Sequence, residues 1–131
     1  MIALDTSVVV RYLVQSPADP ARRAGDVLDS GEEIGISVVV LLETAHVLRT
    51  RYAVPRADVA SVLIDLLMRR NVRLIGLSVD DAIDALVRAR ALPGTPIADA
   101  LVVAMAKSAG ARPLYTFDLG LARHGIEIAV P

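Results

Sequence analysis

The sequence predicts an α/β fold built on a mainly parallel β-sheet. Short apolar runs alternate with longer segments of helical periodicity along its 131 residues, and this alternation is typical of parallel sheets. No low-complexity tract, internal repeat or linker rich in glycine, serine or proline interrupts the alternation. Because compact domains commonly contain about 100–150 residues, we expect a single domain over residues 1–131.

Five short apolar runs are predicted to form the strands. They lie at Ile2–Asp5, Ile34–Ser37, Val72–Leu77, Pro113–Thr116 and Ile126–Val130. The segments of helical periodicity between them are predicted helices, and a short helix is expected after Asp118. These helices lie at Thr6–Gln15, Asp19–Asp29, Val38–Thr50, Arg56–Arg70, Val79–Arg90 and Pro96–Ala109.

Local chemistry supports the boundaries of the last two long helices. Ser78 and Asp81 have the spacing of a capping box, with aspartate in place of the usual glutamate. Thr95 offers a hydroxyl for the cap of the next helix, and Pro96 suits its first position. Gly110 is predicted to close that helix.

The composition excludes several classes of protein. There is no cysteine, which excludes disulfides, thiolate catalysis and cysteine zinc sites. The two histidines, His46 and His124, are best interpreted as packing or surface residues. Fourteen basic and fifteen acidic residues give a net charge of −1, which argues against a protein that coats nucleic acid with a basic surface.

No membrane segment or export signal is expected. No apolar run approaches the roughly 18 residues that a membrane span needs, and the N-terminal MIALDTS lacks the basic stretch of a secretory signal. We therefore expect a soluble, cytoplasmic protein.

Most of the carboxylates have ordinary explanations, because they lie four residues from an arginine or in the first turn of a helix. Glu43 and Asp99 are different, since neither has an arginine or lysine three or four residues away. Both lie in segments that are apolar nearly all round, which is typical of buried helices. A buried charge costs several kcal/mol unless it is paired or binds a metal. Each is therefore a candidate metal ligand, with a tertiary ion pair as the alternative.

Asp5 and Asp118 each end an apolar strand and open a predicted helix, so each could act as a helix N-cap. Ligands of open α/β sheets bind at the carboxyl ends of strands, so these two acids could converge with Glu43 and Asp99 on one crevice. Clustered carboxylates repel one another unless cations intervene. All-oxygen ligands suit Mg²⁺ or Mn²⁺, ions that activate water for phosphodiester cleavage. The residues alone thus indicate an acidic, divalent-metal-dependent phosphoryl hydrolase.

Four segments carry these acids. They are LDTSVVVRYL at 4–13, LLETAHVLR at 41–49, PIADALVVAMAKSAGA at 96–111 and LYTFDLGLARHGI at 114–126. Together they resemble the PIN domain, and in particular the VapC-type toxin ribonucleases of type II toxin–antitoxin systems. A strand followed by Asp-Thr is common by itself, whereas four such segments in the family's order, spanning the chain, are specific.

The resemblance implies a three-layer α/β/α sandwich with a five-stranded, mainly parallel sheet. It also implies an endoribonuclease that cuts RNA with metal-activated water. Asp5, Glu43, Asp99 and Asp118 match the family's acidic residues. Asp5 and Asp99 would be direct metal ligands, and Glu43 would bind the metal directly or through water. Asp118 would complete the site or orient water.

The resemblance also implies supporting residues, a cofactor and partners. Thr6 and Thr116 match hydroxyl positions that support the acids, and Ser7 stands where the family often has asparagine, which removes no ligand. The implied cofactor is Mg²⁺ or Mn²⁺. The implied partners are an RNA substrate, a second copy in a homodimer and a VapB-type antitoxin. The C-terminal segment of that antitoxin would cover the acidic groove, where an arginine could pair with the carboxylates.

The sequence leaves open which residues contact phosphate, and it allows two alternatives to a ribonuclease. The arginines that could contact phosphate are Arg11, Arg22, Arg23, Arg49, Arg51 and Arg112. The first alternative is a non-catalytic PIN-like module that binds RNA or a protein partner, although four mutually repelling carboxylates argue against it. The second is cleavage of DNA by the same metal centre.

Overall fold

A computed structural model describes residues 1–131 and contains each strand and helix that the sequence predicts. The strands are β1 (Ile2–Ala3), β2 (Ile34–Ser37), β3 (Val72–Ile75), β4 (Leu114–Tyr115) and β5 (Ile128–Ala129). The helices are α1 (Thr6–Val14), α2 (Ala18–Leu28), α3 (Val38–Thr50), α4 (Arg56–Leu67), α5 (Val79–Ala91), α6 (Ile97–Ser108) and a 3₁₀ helix (Leu119–His124). None of the helices is both long and apolar enough to cross a membrane.

The strands form two parallel sheets. β2 lies between β1 and β3, and β4 pairs with β5. The N–H groups of Ile2 and Leu4 bond to the β2 side, while those of Leu114 and Thr116 bond to the β5 side. No ladder joins β1 to β4, because each directs its bonds to one neighbour. The α/β class and the parallel pairing are confirmed, whereas a single five-stranded sheet is not.

The core is centred on β2. Ile34 and Ile36 are fully buried, as parallel strands covered on both faces are. Gly35 lies between them at a close approach: a Cβ atom there would come within 3.0 Å of Met1 Sδ and 3.1 Å of Ile75 Cδ1. A larger residue at this position would therefore require the ends of the Met1 and Ile75 side chains to shift by a few tenths of an ångström.

Helix α3 begins directly after β2. The hydroxyl of Ser37 accepts a hydrogen bond from the N–H of Val40 at 3.1 Å, which caps the helix. Leu41 and Leu48 are buried against the core, and α1, α4 and α6 pack around the helix. Consequently α3 connects α1, which follows β1, with α6, which precedes β4.

The predicted ends of α5 and α6 are confirmed in part. The hydroxyl of Ser78 accepts the N–H of Asp81 at 3.1 Å, as the capping pattern predicts. The predicted cap at Thr95 is wrong, because α6 begins one residue later, with Pro96 at the N-cap in an extended conformation. The hydroxyl of Thr95 is buried and has no hydrogen-bond partner. Gly110 follows the end of α6 at φ +69°, a region that glycine enters without strain.

Candidate active site

Asp5 lies between β1 and the first turn of α1. Its backbone is extended, with φ −87° and ψ 163°, and its carboxylate does not cap the helix. The carboxylate instead accepts a hydrogen bond at Oδ2 from the hydroxyl of Ser7, at 3.2 Å. An N-cap role, the ordinary explanation for an acid at this position, therefore does not account for Asp5.

Asp5 and Glu43 line one crevice of about 250 Å³ between α1 and α3. Arg11, Arg51 and Tyr52 also line it. Arg11 donates to the hydroxyl of Tyr52 at 3.3 Å and forms an ion pair with neither carboxylate. The crevice thus presents two carboxylates whose charges are not neutralised by an ion pair.

Asp99 and Asp118 belong to α6 and to the start of the 3₁₀ helix, two elements that pack together. Asp99 is in the first turn of α6, where the helix dipole favours a negative charge. Asp118 precedes the 3₁₀ helix, and its Oδ1 accepts the N–H of Gly120 at 2.9 Å. The hydroxyl of Thr116 accepts the N–H of Asp118, also at 2.9 Å. Asp118 is therefore a cap, with its second carboxylate oxygen free of hydrogen bonds.

His124, at the end of the 3₁₀ helix, is close enough to both acids to feel their charges. The residue is buried, and neither ring nitrogen has a hydrogen-bond partner. Burial lowers the pKa of His124 below its ordinary value, and the charges of Arg123 and Arg88 lower it further. The carboxylates of Asp99 and Asp118 oppose this shift, so both acids act electrostatically on one buried ring.

The structure thus arranges the four predicted acids as two pairs. Asp5 and Glu43 share a crevice, and Asp99 and Asp118 both influence His124. No group of three or more acidic or histidine side chains lies close enough to hold one ion. The donors still suit a hard cation, because all four are carboxylates without an ion-pair partner.

The expectation of burial is wrong for Glu43, which is exposed, and Asp99 is half-buried. Val39, one turn from Glu43, is 70% exposed, and Val102, on the face of Asp99, is 48% exposed. Apolar residues on these helix faces therefore remain in solvent. Since an exposed charge carries little desolvation cost, the case for a metal rests on the position of the acids and not on their burial.

Of the two threonine hydroxyls predicted to support the acids, the one of Thr6 does not contact its acid. The Thr6 hydroxyl is buried and has no hydrogen-bond partner, while Ser7 makes the contact to the Asp5 carboxylate. Thr116 contacts the backbone of Asp118, as a supporting residue would. The signal that could have identified Ser7 is its spacing, since a hydroxyl two residues after a helix-preceding aspartate is within reach of that carboxylate.

The buried ring of His124 predicts a loss of stability in mild acid. Its pKa is lowered in the folded state, so the unfolded chain binds the proton more readily once the pH falls below about 6.5. The free energy of unfolding should therefore decrease as the pH falls from 7.5 through 6.5 towards the lowered pKa. Thermal unfolding between pH 7.5 and pH 5 in EDTA measures this decrease.

The two histidines provide a matched control. The variant His124→Gln should lose much of this pH dependence, whereas His46→Gln, which changes an exposed ring, should keep it. Equal pH profiles for the wild type and His124→Gln would contradict the prediction.

Comparison with known proteins adds a family match. Residues 2–127 match the PIN domain family, and all four candidate acids lie within this matched region. No curated protein matches the chain.

Proposed function

Because this chain belongs to the PIN domain family, whose members are generally nucleases that need a divalent metal, we propose that it is a metal-dependent endoribonuclease. The observation that carries the proposal is the set of four carboxylates, Asp5, Glu43, Asp99 and Asp118, none of which forms an ion pair. All four lie within the matched region.

In this proposal Asp5 and Asp99 would hold the metal, and Glu43 would bind it directly or through water. This requires the two pairs of acids to close around the ion, because no three of them lie close enough to hold one in this structure. When bound, Mg²⁺ or Mn²⁺ activates water for attack on the RNA phosphodiester and stabilises the leaving oxygen. Asp118 would complete the site or orient that water through its Oδ2 atom, because its Oδ1 atom accepts the N–H of Gly120. The hydroxyl of Ser7 orients Asp5, and Thr116 fixes the backbone of Asp118.

We propose that the enzyme is the VapC-type toxin of a toxin–antitoxin pair and acts as a homodimer. The crevice at Asp5 and Glu43 supports an antitoxin contact, since an arginine from a partner segment could pair with either unneutralised carboxylate. Val39 on α3 and Val102 on α6 are exposed apolar residues that a second copy could cover.

The test uses the purified chain, freed of any partner, with a mixed-sequence fluorogenic RNA and with total cellular RNA. Cleavage is expected in Mg²⁺ or Mn²⁺ and should stop in EDTA and return when the metal is restored. A DNA of the same sequence tests the alternative DNase activity.

Two results would contradict the proposal. Cleavage that continues in EDTA indicates a different mechanism or a contaminant. Metal binding and RNA binding without cleavage of any RNA would instead favour a non-catalytic binding module.

A further inference from the structure

A second cavity of about 400 Å³ lies between α3, the start of α4 and the start of α6. Its cationic side is formed by Arg49 and Arg56, with His46 beside them. We call this the basic cavity. An apolar wall that includes Leu42 and Ala45 faces these side chains. The combination of cations and an apolar wall suits a ligand that carries both a negative charge and a flat or aliphatic part.

The two arginines of the basic cavity have no acidic partner. Neither Arg49 nor Arg56 forms an ion pair or a side-chain hydrogen bond, whereas Arg22, another arginine predicted to contact phosphate, pairs with Asp19 and Asp26. The Nη1 atom of Arg56 is buried without a hydrogen-bond partner. Since a buried donor without an acceptor is unfavourable, this nitrogen is available to donate to an acceptor that enters the basic cavity.

The start of α6 contributes positive potential at the same place. Ile97 and Ala98 line the basic cavity, and no side chain caps their helix. The first hydrogen bond into this helix runs from the N–H of Ala100 to the carbonyl of Pro96, at 3.3 Å. The N–H groups of the first turn are thus available to an anion, which the helix dipole also favours.

Two residues that line the basic cavity are chain neighbours of candidate acids. Leu42, in its wall, precedes Glu43, and Ala98, at its end, precedes Asp99. An acidic centre repels the phosphates that flank a cleavage site, so a strand of RNA needs a cationic contact close by. Arg49 in the basic cavity follows Glu43 by six residues on α3, a rise of roughly 9 Å.

We propose that the basic cavity binds a nucleotide of the RNA strand that flanks the cleaved phosphodiester. Its phosphate lies between Arg49, Arg56 and the start of α6, and its sugar or base packs against Leu42 and Ala45. This assignment rests on the proposed ribonuclease function for the identity of the ligand. The sequence drew attention to Arg49 but not to Arg56, because only the fold brings the two side chains to one cavity.

The experiment measures the Kd for a labelled single-stranded RNA by fluorescence anisotropy in EDTA. Arg49→Ala and Arg56→Ala should each raise Kd about tenfold, as expected for loss of a charged hydrogen bond. Each should also reduce the slope of log Kd against log salt by about 0.7, the value for one phosphate contact on a single strand. Arg70→Ala is the matched control, because Arg70 is exposed and lies outside the basic cavity.

Further variants guard against a fold defect. Arg49 is exposed, so Arg49→Ala should keep the melting temperature of the wild type even if Arg56→Ala lowers it. Arg56→Lys, which keeps the charge, should recover part of the affinity. The assignment is overturned if both alanine variants bind RNA as the wild type does, or if Arg70→Ala weakens binding equally. The assignment would also be overturned if the protein binds a carboxylate-rich peptide tightly while its binding of RNA does not depend on Arg49 or Arg56.

Cleavage in Mg²⁺, measured in parallel, separates the two proposals. If the wild type cleaves RNA and the arginine variants bind and cleave equally well, the basic cavity is not the RNA site and the nuclease proposal stands. If no RNA is cleaved but binding depends on both arginines, the cavity assignment stands and the nuclease proposal fails.

Discussion

Replacing Asp99 with asparagine is expected to lower metal-dependent RNA cleavage at least about 100-fold. The amide keeps the size of the side chain and removes its charge, so the site loses a ligand for a cation that contributes several kcal/mol of transition-state stabilisation. A loss of about 2.7 kcal/mol corresponds to this factor. Initial rates at saturating Mg²⁺ and at saturating Mn²⁺ measure it for the wild type and the variant.

Asp65→Asn is the matched control, since it makes the same chemical change at an exposed position on α4. It should keep the wild-type rate within about twofold. A second measurement follows the rise in melting temperature on adding Mn²⁺, which binding to the folded state produces. Asp99→Asn should reduce that rise. An Asp99→Asn protein that cleaves at the wild-type rate would place the metal elsewhere.

Truncating Leu41 to alanine should cost about 2–5 kcal/mol of unfolding free energy, the range observed for large-to-small core substitutions. Leu41 is completely buried on the face of α3 that meets the core. Its removal leaves a cavity beneath the helix that carries Glu43. Denaturant unfolding in EDTA, with the midpoint and the slope fitted separately, measures the loss.

Val39→Ala on the same helix is the control for Leu41→Ala. Val39 is 70% exposed, so its truncation should change the free energy by no more than about 0.5 kcal/mol. If the two variants are equally stable, α3 does not pack against the core as the structure describes.

The elements were predictable because their signals are local. The apolar run Ile34–Ser37 followed by the helical segment Val38–Thr50 appears in the structure with those bounds, since the pattern of burial and the cap at Ser37 lie within a few residues. The cap at Thr95 was not predictable to one residue. The hydroxyl and Pro96 suit adjacent positions equally well, and the packing around the buried Thr95 decided where α6 begins.

The placement of the four candidate acids on strands and helices was predictable, but their arrangement in space was not. Asp5 and Asp118 follow strands and Asp99 opens a helix, and these placements can be inferred from the order of elements. The exposure of Glu43 could not be inferred, because the sequence gives the apolar character of its neighbours but not whether another element covers them. Sequence alone also assigned the hydroxyl contact to Thr6 and not to Ser7.

By itself the sequence determined the α/β class, the order of strands and helices, and the four acids that match the family's pattern. These features depend on residue type and on spacing along the chain, because hydrophobic periodicity and short-range hydrogen bonds determine where strands and helices form. Only the tertiary structure decided that the strands form two sheets, that Asp5 and Glu43 share one crevice, and that Arg49 and Arg56 share one cavity. Those facts depend on contacts between residues far apart in the chain, and such contacts are set by how the elements pack together.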